Sequence, residues 1–381
     1  MDISIHVIRD PSRLDEIEDS WNGFVRLSSN SPFHSLGFVR HFMVIDRNLG
    51  WRPVVLVAYS DDKIIGIAPM KEMRRFGVRW VKFACWPQFS PDFITDCKAR
   101  EHIIGKMLEC LFGKLGCHLA DLCVSSDSVT YLEKICRLYG LQLSLSTPPI
   151  FGHRILPVSC DWNDFERFRG SNFRNKMRKI GRKFSQIGAV EITCVQNPRD
   201  DATVLERILG IERLSWKETY RKQKQQVIDT SIPMLCSASL ATAKSEPDFE
   251  WRVYFLELNK MAIAYSLVLK YKDTAYIAKI TYDEGYRRYY PGIYLINGIL
   301  KEEFTLRRVR NIDFQTDMQF METWTKKRLL RFRALVSRGV LPFVIHAFVM
   351  NYSLVRVRYL TLSYISKKLP ALDKVLAAFS R

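Results

Sequence analysis

The sequence predicts a chain of the α/β (α+β) class. It comprises two tandem domains, each a mixed, mostly antiparallel sheet flanked by helices, and a basic helical C-terminal tail. Three observations carry that expectation. At 381 residues the chain exceeds the usual size of a single domain. Its 47% hydrophobic and 12% aromatic content can fill real cores, which argues against extensive disorder. One order of elements also occurs twice: hairpin, strand, helix, acid-bearing strand.

In the first copy, PVVLVAYSDDKIIGIAPM (53–70) is two apolar runs joined at Asp61-Asp62, the pattern of a β-hairpin. RWVKFACW continues it as a strand. A helical segment follows over 100–115, with apolar residues at three- and four-residue spacing, and then HLADLCVSSD, which carries Asp121. In the second copy, RVYFLELNKMAIAYSLVLK (252–270) turns at Asn259-Lys260 and leads into TAYIAKITY. A helix over 291–306 and VRNIDFQTD, which carries Asp313, complete it. Further helices are expected at 11–28, 36–47, 162–187, 201–222 and 232–244. Pro148-Pro149 in STPPIFGH marks a linker, which divides the chain into 1–150, 151–335 and a tail, 336–381.

Nine cysteines, an odd number with no CxxC pair and no histidine at ligand spacing, read as buried thiols in a reducing cytoplasm, with no metal site. MDISIHVIRD has none of the features of a secretory signal. The formal charge of +18 is concentrated at two places. From Lys326 to Arg381 twelve Lys or Arg face the single Asp373, and a second cluster runs from Arg169 through Arg174, Lys176, Arg178, Lys179 and Arg182 to Lys183. Such surfaces suit phosphates, anionic lipid or nucleic acid, although charge runs on helices are usually solvated faces.

Most familiar catalytic patterns are missing: GxxxxGK[ST], GxGxxG after a strand, HExxH, GxSxG and HxxxDG do not occur. No histidine falls between His153 and His346, so the second domain is expected to work without an imidazole base. His34, His41 and His118 read as structural residues. The best phosphate candidate is the turn in ITYDEGYRRYYPGIYLINGIL (280–300). There Gly292 lets an anion approach the backbone at a helix start, Pro291 presets the first turn, and Arg287 and Arg288 add charge. Pro-Gly before a helix is equally an ordinary turn.

Several stretches together resemble the GNAT acyltransferase superfamily, specifically its CelD-like branch, which is related to the Fem-type peptidyl transferases and often carries two tandem GNAT-type domains. They are YDEGYRRYYPGIYL (282–295), IDFQTDMQFMETW (312–324), the basic SNFRNKMRKIGRKFSQIG (171–188), and Trp216 at the end of the next helix. The resemblance covers roughly 155–330, and the first half only by element order. Gln315-Thr316-Asp317 departs from the branch, which places a Gly and a Lys around that acid.

The resemblance implies an acyl-CoA held between splayed strands at about 273–282 and 310–315. Its pyrophosphate would rest on the backbone from Arg288 to Ile293, with Arg287, Arg288, Tyr289, Tyr290, Pro291, Gly292, Ile293 and Tyr294 as the cofactor-binding residues. The first domain has no glycine in the equivalent loop, so one active site per chain is expected, in the second domain. Direct transfer to an amine or hydroxyl needs a base and an acid. Asp313 is ranked first and Asp317 second as the base, and Tyr282 leads Tyr290 and Tyr294 as the acid. Asp317 is equally placed to cap the next helix. Arg174, Lys176, Trp216 and Trp324 are the candidates for acceptor binding.

The uncharged GVLPFVIHAFVMNYSLV (339–355) is short and too polar for a full span, which needs about 20 mostly apolar residues. With the lysine-bearing segment after it, this tail suggests either peripheral attachment to the anionic inner leaflet or a helical cap. Attachment would suit a sugar, lipid-linked or envelope-precursor acceptor. The competing functional readings are a Fem-type transferase using charged tRNA and a noncatalytic binding protein.

Overall fold

The computed structural model describes residues 2–75, 78–85, 89–146, 149, 151–198, 202–216 and 231–339. The tail beyond 339, the C-terminal part of the helix expected at 201–222, and Thr147 and Pro148 of the expected linker lie outside the described residues.

The N-terminal half begins with β1 (Ser4–Ile8), α1 (Glu18–Ser28) and α2 (Leu36–Asn48). The hairpin β2 (Arg52–Ser60) and β3 (Lys63–Arg75) turns on Asp61 and Asp62, both at positive φ, which matches the right-handed twist of the flanking strands. Next come β4 (Val78–Phe83), the two-residue β5 (Ile94–Thr95), α3 (Arg100–Glu109), β6 (Leu119–Ser125), α4 (Ser126–Leu138) and β7 (Gln142–Leu145).

The C-terminal half opens with β8 (Phe151–Pro157), α5 (Trp162–Ser185), β9 (Val190–Gln196), α6 (Ala202–Arg213) and α7 (Ser231–Ser245). Its hairpin is β10 (Phe249–Leu258) and β11 (Met261–Tyr271), turning on Asn259 and Lys260, again both at positive φ. Then follow β12 (Thr274–Tyr282), α8 (Pro291–Leu306), β13 (Asn311–Asp313) and β14 (Arg328–Ser337).

The repeat read from sequence is present in three dimensions. Each half places an edge strand antiparallel to its hairpin, β1 on β2 and β9 on β10. Each then makes one short parallel pair, β4 with β6 and β12 with β13. The acid-bearing strand of each half is finally flanked by an antiparallel strand, β14 on β6 and β8 on β13. Because β14 also pairs with β8, the two sheets fuse into one, of 14 strands among the described residues, ordered β1-β2-β3-β4-β6-β14-β8-β13-β12-β11-β10-β9 along its main path. Ser337 ends β14 inside the sheet, so the expected start of the tail at 336 falls within the last strand.

Apolar residues on one face of each half bury against its own helices, α3 and α4 in the first and α5 and α8 in the second. A third cluster forms the seam, where Phe33, Phe38, Phe42 and Phe89 meet Phe249, Trp251 and Tyr276. Burying aromatic area of this kind dominates such contacts and ties the halves into one body.

Candidate functional site

The two parallel pairs are both short, and their continuations decide where a ligand can enter. In the second half the β12–β13 ladder ends at Tyr276 opposite Asp313. Beyond it the chain stays with β8: the Phe314 N–H donates to the Arg154 carbonyl at 3.0 Å and the Arg154 N–H to the Thr316 carbonyl at 3.0 Å. β12 runs on to Tyr282 with that edge unpaired among the described residues, and a register shift at Leu267/Val268 leaves Ala278 as an extra residue in the strand. The strands therefore splay. In the first half the same gap beyond Val81 and Ala120 is bordered by the 89–95 segment. There Phe93 packs edge-on to Phe83, and Asp92 accepts from the Ser125 and Ser128 hydroxyls, both at 2.8 Å.

The splay in the second half opens a cavity of about 600 Å³. One wall is the free edge of β12, from Ile277 to Ile280 and Tyr282. The other is the 314–321 segment, with Phe314, Gln315, Thr316, Met318, Phe320 and Met321. Arg287, Tyr290, Gly292, Ile293 and Trp216 complete the lining. Trp216, Tyr290 and Met318 are exposed large apolar side chains, which marks this mouth as a binding surface rather than ordinary solvated surface.

The expected phosphate cradle is at this mouth. Glu284–Tyr289 forms a 3-10 turn, Tyr290 adopts the left-handed region (φ 61°, ψ 50°), and α8 starts at Pro291 without a side-chain cap. The first intrahelical bond runs from the Tyr294 N–H to the Tyr290 carbonyl at 3.1 Å, so the Gly292 and Ile293 N–H groups precede the helical ladder. A Cβ at Gly292 would stand 3.4 Å from Tyr282 Cδ1 and 3.6 Å from Ile280 Cδ1. An alanine is accommodated there, whereas a large side chain would fill the cavity. Arg287 pairs with Glu284 at 3.0 Å, Arg288 lies over the Tyr289 ring, and Lys183 of α5 donates to the Arg288 carbonyl at 3.0 Å. Uncapped N–H groups, nearby cations and an apolar cleft behind them fit a ligand that carries a phosphate and an apolar part.

The predicted residues do not all converge here. Arg287, Tyr290, Gly292, Ile293, Tyr282 and Trp216 line the cavity. Tyr289 and Tyr294 instead turn toward α5, packing on Phe184 with ring centroids 5.9 and 4.9 Å away. Trp324 is buried, stacked beside Phe314, with its Nε1 donating to Asn297. Arg174 donates to the Glu166 carbonyl and Lys176 to the Thr323 hydroxyl, both away from the lining. Burial pushes the Tyr282 phenol up, so it keeps its proton at neutral pH.

Neither aspartate is among the lining residues. Asp317 does not cap the following 3-10 helix, whose N-cap is Met318. Its carboxylate is held by Arg154 at 3.3 Å and by Arg328. Asp313 has the opposite strand parity to Ile312 and Phe314, which pack into the α5–α8 core. It is buried on the other face, with Oδ2 3.3 Å from His153 Nδ1 and Oδ1 accepting the Gln315 N–H at 2.7 Å. An imidazole therefore stands behind the site without lining the cavity. His153 lies on β8, the strand beside β13, so sheet topology brings together residues that sequence separation keeps apart.

Two residues that sequence reading missed stand at the cavity. Lys279 lines it and lies 3.9 Å from Glu212 of α6, whose buried carboxylate also accepts from the Tyr265 and Thr281 hydroxyls at 2.6 and 2.7 Å. Gln315 lines it with φ at 51°. Lys279 was legible as a cation next to the strand edge, whereas nothing in the sequence marks Glu212 as its partner.

Residues 171–320 match a family profile described as an acetyltransferase (GNAT) domain. No curated protein matches the chain. Among solved structures, FemX aligns over 92% of this chain and 100% of its own, with a TM-score of 0.57 and 10% identity. A conserved protein of unknown function from Bacteroides thetaiotaomicron aligns over 88% and 100%, with a TM-score of 0.55 and 11% identity. The L-PGS of Bacillus licheniformis aligns over 89% and 95%, with a TM-score of 0.51 and 9% identity.

Proposed function

From a chain that carries the GNAT-superfamily, Fem-like fold in two tandem domains, we propose an acyltransferase that moves an acetyl or other acyl group from acyl-CoA to an amine or hydroxyl. The acceptor class we favour is a sugar, a lipid-linked intermediate or another envelope precursor. One observation carries the donor assignment: the cleft between β12 and the 314–321 segment runs up to the uncapped start of α8 at Gly292. The Gly292 and Ile293 N–H groups would receive the pyrophosphate, with Arg287 beside them, and the free edge of β12 would receive the arm.

Bound acyl-CoA supplies the activated thioester, and the residues of this chain supply position and proton control. The cavity walls hold donor and acceptor in line and keep water out of the apolar end. The acceptor oxygen or nitrogen attacks the carbonyl carbon directly, the carbon–sulfur bond breaks, and the proton lost by the acceptor passes through solvent at the cleft mouth to the departing thiolate. Tyr282, protonated at neutral pH, faces Gly292 at the pyrophosphate end of the cleft, so its phenol is placed to donate to the donor's phosphates rather than to sulfur. No carboxylate lines the cavity among the described residues, so Asp313 acts on the site only through the groups it holds.

Calorimetric titration with acetyl-CoA and CoA tests this reading. Micromolar binding by the wild type, abolished in Gly292→Trp and retained in Gly292→Ala, is the expected result. A folded wild type that binds neither ligand refutes it and favours the second reading, a charged tRNA as aminoacyl donor. That reading draws on the Fem-like fold and on the exposed cations Lys176, Arg178, Lys179 and Arg182 of α5.

Among the described residues no helix is long and apolar enough to cross a membrane. Attachment of residues 336–381 to an anionic inner leaflet remains our proposal, tested by salt-sensitive liposome binding. The truncation should follow Gly339, because a cut after Arg333 would remove part of β14.

A further inference from the structure

Gln315 combines four properties that ordinary packing does not require. It lines the cleft, it is 5% exposed, its backbone occupies the left-handed region at φ 51°, and its Oε1 is buried with no hydrogen-bond partner among the described residues. A non-glycine residue held at positive φ and a buried carbonyl left unpaired both cost stability, and such costs gather where a ligand is gripped.

The pose is fixed from behind. The Gln315 N–H donates to Asp313 Oδ1 at 2.7 Å, and its Nε2 sits 3.3 Å from His153 Nδ1. His153 is in turn 3.3 Å from Asp313 Oδ2 and 3.4 Å from the Ser90 hydroxyl of the first half. One end of the amide is therefore tethered to the seam between the halves.

The unpaired atom accepts hydrogen bonds, so the ligand group that completes it must be an N–H or O–H. From Tyr282, which faces Gly292, back to Ile277 the edge of β12 covers five residue steps, roughly 16 Å. A pantetheine arm has about twelve backbone bonds, three to a residue, and so extends over about 14 Å. An arm anchored at Gly292 thus reaches the closed end of the splay, where Gln315 stands opposite β12 and where the amide nearest the sulfur would arrive.

We propose that Gln315 grips the pantetheine arm by accepting this amide N–H, and that His153 and Asp313 are positioning residues that hold it in place. The proposal rests on the acyl-CoA reading. It also gives Asp313 a role other than that of a base, and gives the first half a part in the site through Ser90.

The experiment is calorimetry of the full chain with CoA and with adenosine 3′,5′-bisphosphate, which lacks the arm, for the wild type, Gln315→Met and His153→Asn. Gln315→Met is expected to bind CoA roughly tenfold more weakly and the bisphosphate unchanged. His153→Asn should show a smaller loss of the same selectivity. If Gln315→Met binds CoA as the wild type does, or loses both ligands equally, the grip is overturned. If His153→Asn is unaffected while Gln315→Met is weakened, the positioning role is overturned. A wild type that binds the bisphosphate as tightly as CoA overturns the contact with the arm, and one that binds neither overturns the acyl-CoA reading itself.

Discussion

Acidification should destabilise the fold through His34. Its imidazole is buried, with Nδ1 2.8 Å from the Ser29 hydroxyl and Nε2 3.2 Å from the Ser90 carbonyl. Burial pushes its pKa from 6.5 down to about 4, against the pull of Asp92 and the Ser90 carbonyl and with a further push from Arg331. The unfolded chain therefore takes up a proton at a pH where the folded chain does not. The neutral imidazole's contribution is fully present above about 6.5 and drains away as pH falls toward 4. At 1.36 kcal/mol per unit the whole window is worth about 3 kcal/mol, of which about 2 is gone by pH 5. Against a typical stability of roughly 5–15 kcal/mol this is a large fraction. The assay is urea unfolding at pH 7.5, 6 and 5 for the wild type and His34→Gln. The variant should be weaker at pH 7.5 but lose less on acidification, so that the two curves converge. Parallel losses would refute the assignment of that pH dependence to His34.

Two more perturbations bear on how the sheet and α8 are held. Burial raises the Asp121 carboxyl, but hydrogen bonds from Arg333 and the charge of Lys82 outweigh it and hold the pKa at about 2. Its contribution of about 2 kcal/mol is present above 3.8 and lost as pH falls toward 2, so Asp121→Asn should cost about that much in urea unfolding at pH 7. Glu303 of α8 is buried with its carboxylate 3.1 Å from Arg252 of β10. Glu303→Gln should cost only about 1 kcal/mol by thermal or urea unfolding, because Arg252 keeps its pairing with Glu250 and a Gln oxygen can still accept. A double replacement by Leu and Met should recover part of that loss.

The parts of this molecule legible in its sequence are those fixed locally. Asp61-Asp62 and Asn259-Lys260 announced their hairpins because both positions of each turn need positive φ, which Asp61, Asp62 and Asn259 tolerate as short polar residues and which Lys260 also adopts. Pro291-Gly292 announced a helix start for equally local reasons. The pairing of Asp313 with His153 was not legible, since it depends on β8 adding to β13 across 160 positions of sequence. The failure of Asp313 to line the cavity did leave a signal: in Ile312-Asp313-Phe314 the two apolar neighbours claim the core face and send the acid to the other. α4 and the strands β1, β5, β7, β8, β9 and β14 escaped notice. β14 reads RLLRFRALVS, and the arginines that obscure its alternation are the ones that reach Asp92, Asp121 and the Cys123 carbonyl.

The placement of β14 also has a consequence for how the chain is made. The first half has five of its six main-path strands by Ser125, yet the sixth arrives with Arg328–Ser337, roughly two hundred residues later. At about 5–20 residues per second a ribosome needs on the order of 10–40 s to supply it. Throughout that interval one edge of β6 is open, and Arg333 has not yet met Asp121. The first half is therefore completed only by the last strand, which should act as the latch that turns two unfinished sheets into one cooperative body. Stalled nascent chains should show it: the first half should stay protease-sensitive until Ser337 clears the exit tunnel, and early resistance would contradict the latch.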